Sequence, residues 1–156
     1  MFRGWRLCRY PHPYPTLSIR ARTSVEKLPQ LLGKGYGEIA QYLDQLNEQP
    51  AGPSFAVYYN MDMQDLDVEF GFPVSKSFTG KGDIQARETP SGQAAFCVHV
   101  GPYSEVGLAH DALFQWIKDN GYQTTNVAYE IYMNDFDETP PEKLETQIYL
   151  LLKVDQ

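Results

Sequence analysis

The sequence predicts an α+β domain made of two copies of a β-α-β-β unit, and three observations carry this prediction. The chain has 156 residues, a length that suits one domain. Segments with strand alternation and with helical spacing follow one another in the order strand, helix, strand, strand, and then in that order again. Residues also recur at fixed offsets between the halves. Such a repeat predicts an antiparallel sheet with two helices packed on one face and a ligand groove on the other.

The first half is predicted to span about residues 16–82. Residues 16–23 alternate apolar and polar side chains, as a strand does. Apolar residues then fall at helical spacing from Leu28 to Leu46, and three glycines early in this stretch place the firm start of the helix near Gly37. Two further strands are predicted at residues 55–59 and 68–74.

The second half is predicted to span about residues 83–156. Extended segments at 84–88 and 93–100 precede a helix, whose buried stripe is formed by Val106, Ala109, Leu113 and Ile117. Asn120 and Gly121 end this helix. Strands at 127–133 and 146–154 complete the repeat.

Matching residues support an internal duplication. Three pairs lie 67 positions apart, and two pairs lie 73 apart across a longer loop: Tyr36 and Tyr103, Glu38 and Glu105, Leu46 and Leu113, then Tyr59 and Tyr132, Asp62 and Asp135. Residues 1–15 match nothing in this pattern. Pro11, Pro13 and Pro15 block regular structure there, which predicts a flexible tail rich in proline and arginine.

Charge and composition limit the classes of partner and ligand that are expected for this chain. The net charge of −7 argues against direct nucleic-acid binding, which needs a basic face. An acidic body favours cationic ligands, although solubility alone also explains it. No apolar stretch approaches the ~18 residues of a membrane span. Cys8 and Cys97 do not form a disulfide framework, which favours a reducing compartment, and hence the cytoplasm. With three histidines in the chain, neither a metal nor a cofactor is expected.

The alternation along each strand indicates which side chains face the helices. The most apolar sets are expected to do so: Phe96, Val98 and Val100; Val127, Tyr129 and Ile131; Val68, Phe70 and Phe72; Ile148, Leu150 and Leu152. The opposite face then receives Glu130 and Tyr132, with Val57, Tyr59, Tyr149, Glu69, Cys97 and His99. His110 is interpreted as a partly exposed helical residue without a role.

A carboxylate among tyrosines is a chemically specific set. Burying Glu130 there is costly unless a cation or a hydrogen-bond donor lies against it, and aromatic faces add to the binding of a cation. This pattern favours a site for flat or lipophilic cations. The alternative is an exposed Glu130 on a solvated sheet, with Tyr59, Tyr132 and Tyr149 in cross-strand pairs.

Four short segments resemble the GyrI-like family, which includes the effector-binding domains of AraC-type and multidrug-sensing regulators and the DNA gyrase inhibitor protein. They are Gly-Pro-Ser-Phe-Ala-Val-Tyr-Tyr at 52–59, Asp-Val-Glu-Phe-Gly-Phe-Pro-Val at 67–74, His-Val-Gly-Pro-Tyr at 99–103 and Tyr-Glu-Ile-Tyr at 129–132. The resemblance covers about residues 16–154. It implies a groove between the halves, in which a glutamate of the Tyr-Glu-x-Tyr strand contacts ligands that are often lipophilic cations. That position is Glu130, and Tyr59, Tyr132, Tyr149 and Val57 are the expected walls.

Three functions follow from this resemblance. The first is a binding module that senses or sequesters small amphipathic molecules, without the helix-turn-helix domain of the regulators. The second is a hydrolase of reactive cyclopropane-bearing genotoxins, with Glu130 as general base and a tyrosine as acid. The third is contact with a protein partner such as DNA gyrase or a regulator, through the acidic loop at 135–145.

Overall fold

The computed structural model describes residues 2–10, 14–135 and 138–153. The chain divides into a first unit, residues 12–90, and a second unit, residues 91–156 together with residues 1–11. In chain order the strands and helices are β1 (Phe2–Tyr10), β2 (Pro15–Thr23), α1 (Leu28–Gln45), β3 (Phe55–Tyr58), β4 (Leu66–Pro73), β5 (Gln85–Glu88), β6 (Gly92–Val100), α2 (Val106–Asp119), β7 (Thr124–Tyr132) and β8 (Glu145–Leu152). Short 3-10 turns precede α2 at Tyr103–Glu105 and β8 at Pro141–Lys143.

The first unit is an antiparallel sheet in the order β3-β4-β2-β5, with α1 packed on it. Helix α1 begins at Leu28, earlier than predicted, because Pro29 is tolerated in a first helical turn. Gly35 lies against Phe70, so close that a Cβ there would come within 2.2 Å of the Phe70 ring. The ring of Tyr36 makes edge contacts with Phe70 and Phe72. The expectation that this side of β4 faces the helix is therefore confirmed.

The second unit is an antiparallel sheet in the order β1-β6-β8-β7, with α2 packed on β6 and β8. Leu113 and Ile117 are buried in α2, together with Ile148 and Leu150 in β8. Helix α2 ends as predicted, because Gly121 takes the left-handed conformation (φ 78°). A register shift interrupts β7 between Thr124 and Ala128.

The two units share one strand order, which agrees with the predicted duplication. β2, β3 and β4 of the first unit correspond to β6, β7 and β8 of the second. β5 pairs with β2 in the same way that β1 pairs with β6. In each unit a fourth strand thus lies beside the strand that precedes the helix.

Two predicted boundaries differ from the structure. Residues 2–10 form β1 and pair with β6, where the sequence predicted a flexible tail over 1–15. The prolines did not prevent this strand because they follow it, and Pro15 begins β2, a position that proline tolerates. The halves also divide near residue 90 instead of residue 82, because β5 pairs with β2.

No helix among the described residues is both long and apolar enough to cross a membrane.

Candidate functional site

Glu130 is buried on the side of the second unit's sheet that faces α2. Its side chain is 2% exposed, and His110 of α2 contacts it directly. In the antiparallel register Glu130 lies opposite Ile148, and directly opposed residues share a face. The prediction that the face opposite the helix receives Glu130 and Tyr132 is therefore wrong.

The predicted helix-facing side of β6 is also wrong, as the pairing of β6 with β8 shows. Cys97 lies opposite Ile148, and His99 lies opposite Thr146, so both share the face of Glu130. The sequence had placed Phe96, Val98 and Val100 on that face. Alternation misled here because both faces of β6 are apolar: Phe96 is 6% exposed and Cys97 is fully buried. Ala95 and Cys97, whose small side chains let a helix approach closely, face α2 instead.

Three donors meet at the Glu130 carboxylate. The hydroxyls of Tyr103 and Tyr132 donate to Oε1 over 2.6 and 2.8 Å, and Nε2 of His110 lies 2.6 Å from Oε2. The two hydroxyls are 3.2 Å apart, and the tyrosine rings meet edge to face with centroids 5.5 Å apart. We call these four residues the Glu130 cluster.

The cluster keeps Glu130 ionised. Burial alone raises the pKa of this carboxyl, because a charge is poorly solvated in the interior. The hydrogen bond and the positive charge of His110, followed by the bonds from Tyr103 and Tyr132, outweigh burial and lower the pKa below its ordinary value. The buried site therefore holds a negative charge that its own donors stabilise.

The turn before α2 positions two of the donors. Gly101 has φ 140°, a conformation that suits glycine, and the chain turns there from β6 into the 3-10 turn that carries Tyr103. Nε2 of His99 donates to the carbonyl of Pro102 over 3.1 Å and fixes the start of the turn. His110 follows Tyr103 by seven residues, about two helical turns, so both side chains reach the same side.

Sequence reasoning missed His110 and did not assign a site role to Tyr103. The spacing of seven between Tyr103 and His110 was the available signal. A buried Glu130 requires a hydrogen-bond donor or a cation nearby. His110, the histidine of the helix that packs on this sheet, is able to be that partner.

Tyr149, Val57 and Tyr59 are the other predicted site residues. Tyr149 lies opposite Tyr129, on the face of the second unit's sheet away from Glu130, and its ring packs on Phe96 with centroids 4.8 Å apart. Val57 and Tyr59 belong to the first unit, where Val57 lies opposite Glu69. Within the second unit, the hydroxyl of Tyr132 and the carboxylate of Glu130 are predicted site groups that the structure joins by a hydrogen bond.

Glu69 is the centre of a second group in the first unit. It is 6% exposed and accepts hydrogen bonds from Ser18 over 2.7 Å and from the hydroxyl of Tyr59. Arg87 lies 3.7 Å from the carboxylate, and the guanidinium of Arg20 stacks 4.0 Å above the Tyr59 ring. Burial, and then the bond to Glu69 and its charge, raise the pKa of Tyr59. Glu69 is thus balanced by permanently charged arginine.

Three further features do not indicate a reactive site. The thiol of Cys97 is fully buried, and burial together with the charge of Glu130 raises its pKa to about 12, so it is not a nucleophile near neutral pH. Among the described residues, no group of three histidine, cysteine, aspartate or glutamate side chains is placed to hold a metal ion. An open cleft of about 390 Å³ lies beside α1, lined partly by Tyr42 and Lys81, and contains no buried carboxylate.

Comparison with known proteins identifies the relatives of this chain. The family model of the GyrI-like small molecule binding domain matches residues 9–153. The fold is similar to EcmrR in a cryo-EM structure of an EcmrR–DNA complex, with a TM-score of 0.83, 22% identity and 97% of this chain covered. This chain spans 57% of the length of EcmrR in that complex.

Two further solved structures match this chain over nearly the whole length of both partners. The EcmrR C-terminal domain has a TM-score of 0.78 at 22% identity, over 96% of this chain and 97% of the domain. SAV2435 bound to tetraphenylphosphonium has a TM-score of 0.66 at 12% identity, over 97% of this chain and 94% of SAV2435. No curated protein sequence matches. From the family match over nearly its whole length, the chain belongs to the GyrI-like small-molecule-binding domain family.

Proposed function

We propose that this domain binds small lipophilic cations at the Glu130 cluster, with Glu130 as counter-charge and the rings of Tyr103 and Tyr132 as walls. The observation that carries the proposal is the buried, ionised Glu130, which three donors hold within 2.8 Å. A buried carboxylate of this kind attracts positive charge, and tyrosine faces add ~0.5–2 kcal/mol for each ring against a cation. The tetraphenylphosphonium bound to SAV2435 is a ligand of this class, which supports the proposal.

Binding requires local movement. Glu130 is 2% exposed, so a ligand reaches the carboxylate only after Tyr103 and His110 move aside. Tyr103 belongs to the 3-10 turn before α2 and His110 to the first part of that helix, whereas Tyr132 belongs to β7. The chain would then sense or sequester its ligand through this segment.

Glu130 supports binding better than hydrolysis. A general base works best with a pKa near the operating pH, and the three donors lower the pKa of this carboxyl instead. The hydrolase alternative therefore gains no support from this geometry.

The proposal is tested with two ions of the same shape. Tetraphenylphosphonium and tetraphenylborate differ in the sign of their charge, so a thermal-shift titration with each separates counter-charge from simple apolar binding. We expect the cation to raise the melting temperature of the wild type and the anion to leave it unchanged, because binding to the folded state stabilises it. Glu130→Gln should lose the shift, and Glu69→Gln should keep it. Equal shifts with both ions, or a full shift in Glu130→Gln, would contradict the proposal.

A further inference from the structure

The first unit's sheet carries a buried hydroxyl, that of Thr16, on the face away from α1. Glu69 lies on that face, because it alternates along β4 with Phe70, which packs against α1. Ser18 donates to the Glu69 carboxylate, and Thr16, two residues away on β2, lies on the same face as Ser18. Thr16 is 2% exposed, and no group among the described residues forms a hydrogen bond with its Oγ1. An unpaired buried hydroxyl is costly, and a water, an ion or a ligand ordinarily satisfies it.

Arg87 lies directly across from Thr16 in the pairing of β5 with β2. Directly opposed residues of antiparallel strands share a face and have Cβ atoms about 5 Å apart, so the guanidinium and the hydroxyl border the same space. The Arg87 side chain is 46% exposed, and its Nε lies 3.7 Å from the Glu69 carboxylate, which is longer than a hydrogen bond. Glu69 therefore attracts Arg87 without accepting a hydrogen bond from Nε.

Gln85 holds the guanidinium of Arg87 at one edge. Nε and Nη2 of Arg87 donate to Oε1 of Gln85 over 3.2 and 3.0 Å. A guanidinium has a second such edge, because Nη1 and Nη2 form another pair of parallel donors. A planar carboxylate fits such a pair with two hydrogen bonds, a geometry that arginine offers and lysine does not. Arg87 is thus positioned through one edge and able to bind a carboxylate with the other.

We propose that Arg87 and Thr16 form a second binding site of this domain, which takes the carboxylate of a small organic acid. The carboxylate accepts two hydrogen bonds from Nη1 and Nη2 of Arg87 and a third from the hydroxyl of Thr16. This site does not depend on the Glu130 cluster, because it belongs to the other unit and its ligand has the opposite charge.

The charge of Glu69 limits the class of ligand. Its carboxylate lies near Arg87 and repels a second anion, so a group with one negative charge is favoured over a phosphate with almost two. The ligand also needs an acceptor oxygen, because Arg87 and Thr16 both act as donors. Tetraphenylborate has no such oxygen and is therefore not a ligand of this site.

Titrations followed by proton NMR of the ligand test the site with benzoate, benzamide and phenyl phosphate. Benzamide has nearly the shape of benzoate but no charge, and we expect benzoate to bind more tightly than either of the other two. Arg87→Gln should weaken benzoate binding by ~10-fold or more, because it removes hydrogen bonds between charged groups. Arg22→Gln is the matched control, since Arg22 lies on the same face of β2, about 20 Å from Thr16, and its replacement should leave the affinity unchanged.

Thr16→Val separates a binding role of the hydroxyl from a structural one. Valine has nearly the shape of threonine and lacks the hydroxyl, so this variant should bind benzoate ~10-fold or more weakly. It should also raise the melting temperature of the free protein, because an unpaired buried polar group is removed. A hydroxyl that an ordered water already satisfies would make Thr16→Val less stable than the wild type, and that result would overturn the inference.

A second variant covers the case in which Arg87→Gln does not fold, which circular dichroism detects. Arg87→Lys keeps the charge beside Glu69 but lacks the planar fork, so it should also bind benzoate more weakly than the wild type. No binding of benzoate, equal binding of benzoate and benzamide, tighter binding of phenyl phosphate, or full binding in the arginine variants would overturn the inference. None of these results changes the shift with tetraphenylphosphonium that is expected for the Glu130 cluster.

Discussion

The three glycines of α1 test how closely this helix packs. Gly33, Gly35 and Gly37 all lie within the helix, where replacing glycine by alanine ordinarily stabilises by roughly 0.5–1 kcal/mol. A Cβ at Gly33 or Gly37 meets nothing within 4 Å. A Cβ at Gly35 would lie 2.2 and 2.4 Å from two atoms of the Phe70 ring. Phe70 is fully buried, so the ring has no free space into which to move.

We therefore expect alanine substitutions at these three glycines to change the free energy of unfolding in opposite directions within one helix. Overpacking of a core costs ~1–3 kcal/mol, so Gly35→Ala should destabilise the protein by about 1–2 kcal/mol after the gain in helix propensity. Gly33→Ala and Gly37→Ala should each stabilise it, by up to ~1 kcal/mol. Urea unfolding followed by circular dichroism at 222 nm measures all three free energies of unfolding. Equal stabilisation in the three variants would refute the close packing of α1 on Phe70.

Three other predictions concern the buried groups. The lowered pKa of Glu130 contributes stability above the ordinary glutamate pKa of ~4.3, and this stability is lost as pH falls through the lower folded value. Urea titrations from pH 7 to 3 should therefore show a smaller decrease in the free energy of unfolding with falling pH for Glu130→Gln than for the wild type. An equal decrease in both proteins would contradict this prediction. Tyr103→Phe removes a hydrogen bond to a charged group and should cost ~1.5–3 kcal/mol, against ~0.5–1.5 kcal/mol for Tyr36→Phe, whose hydroxyl donates to a neutral carbonyl; chemical denaturation compares the two, and a larger loss in Tyr36→Phe would reverse the expected order. In a Cys8→Ala background, Cys97 should react with a thiol reagent at pH 8 far more slowly in the native state than in urea, because its thiol is buried with a pKa of about 12; comparable rates would show that it is accessible.

The duplicated unit was predictable because both halves repeat the same local signals. Helical spacing, a glycine stop at Gly121 and matched tyrosines are encoded within short segments, and each appears in the structure. The faces of β4 were predictable for a similar reason, since Phe70 and Phe72 alternate with Glu69, a charged residue.

The faces of β6 and β7 were not predictable from alternation. On β7 each alternate set contains a tyrosine and an aliphatic residue, so the rule that apolar side chains face the helix has no clear answer. Glu130 faces α2 because His110 and Tyr103 are there to pair with it, and those partners come from another element of the chain. The same applies to β1, whose partner β6 is distant in sequence.

The pairing of β1 with β6 also has a consequence for the order in which the chain folds. Paired residues in these two strands are 82 to 97 positions apart, whereas the first unit is continuous in sequence. During synthesis the first unit is complete before β6 has been made, and β1 must wait for it without a strand partner. Closing such a long loop is slow compared with forming local contacts. Formation of the second unit, and with it of the Glu130 cluster, is therefore the later event on the ribosome.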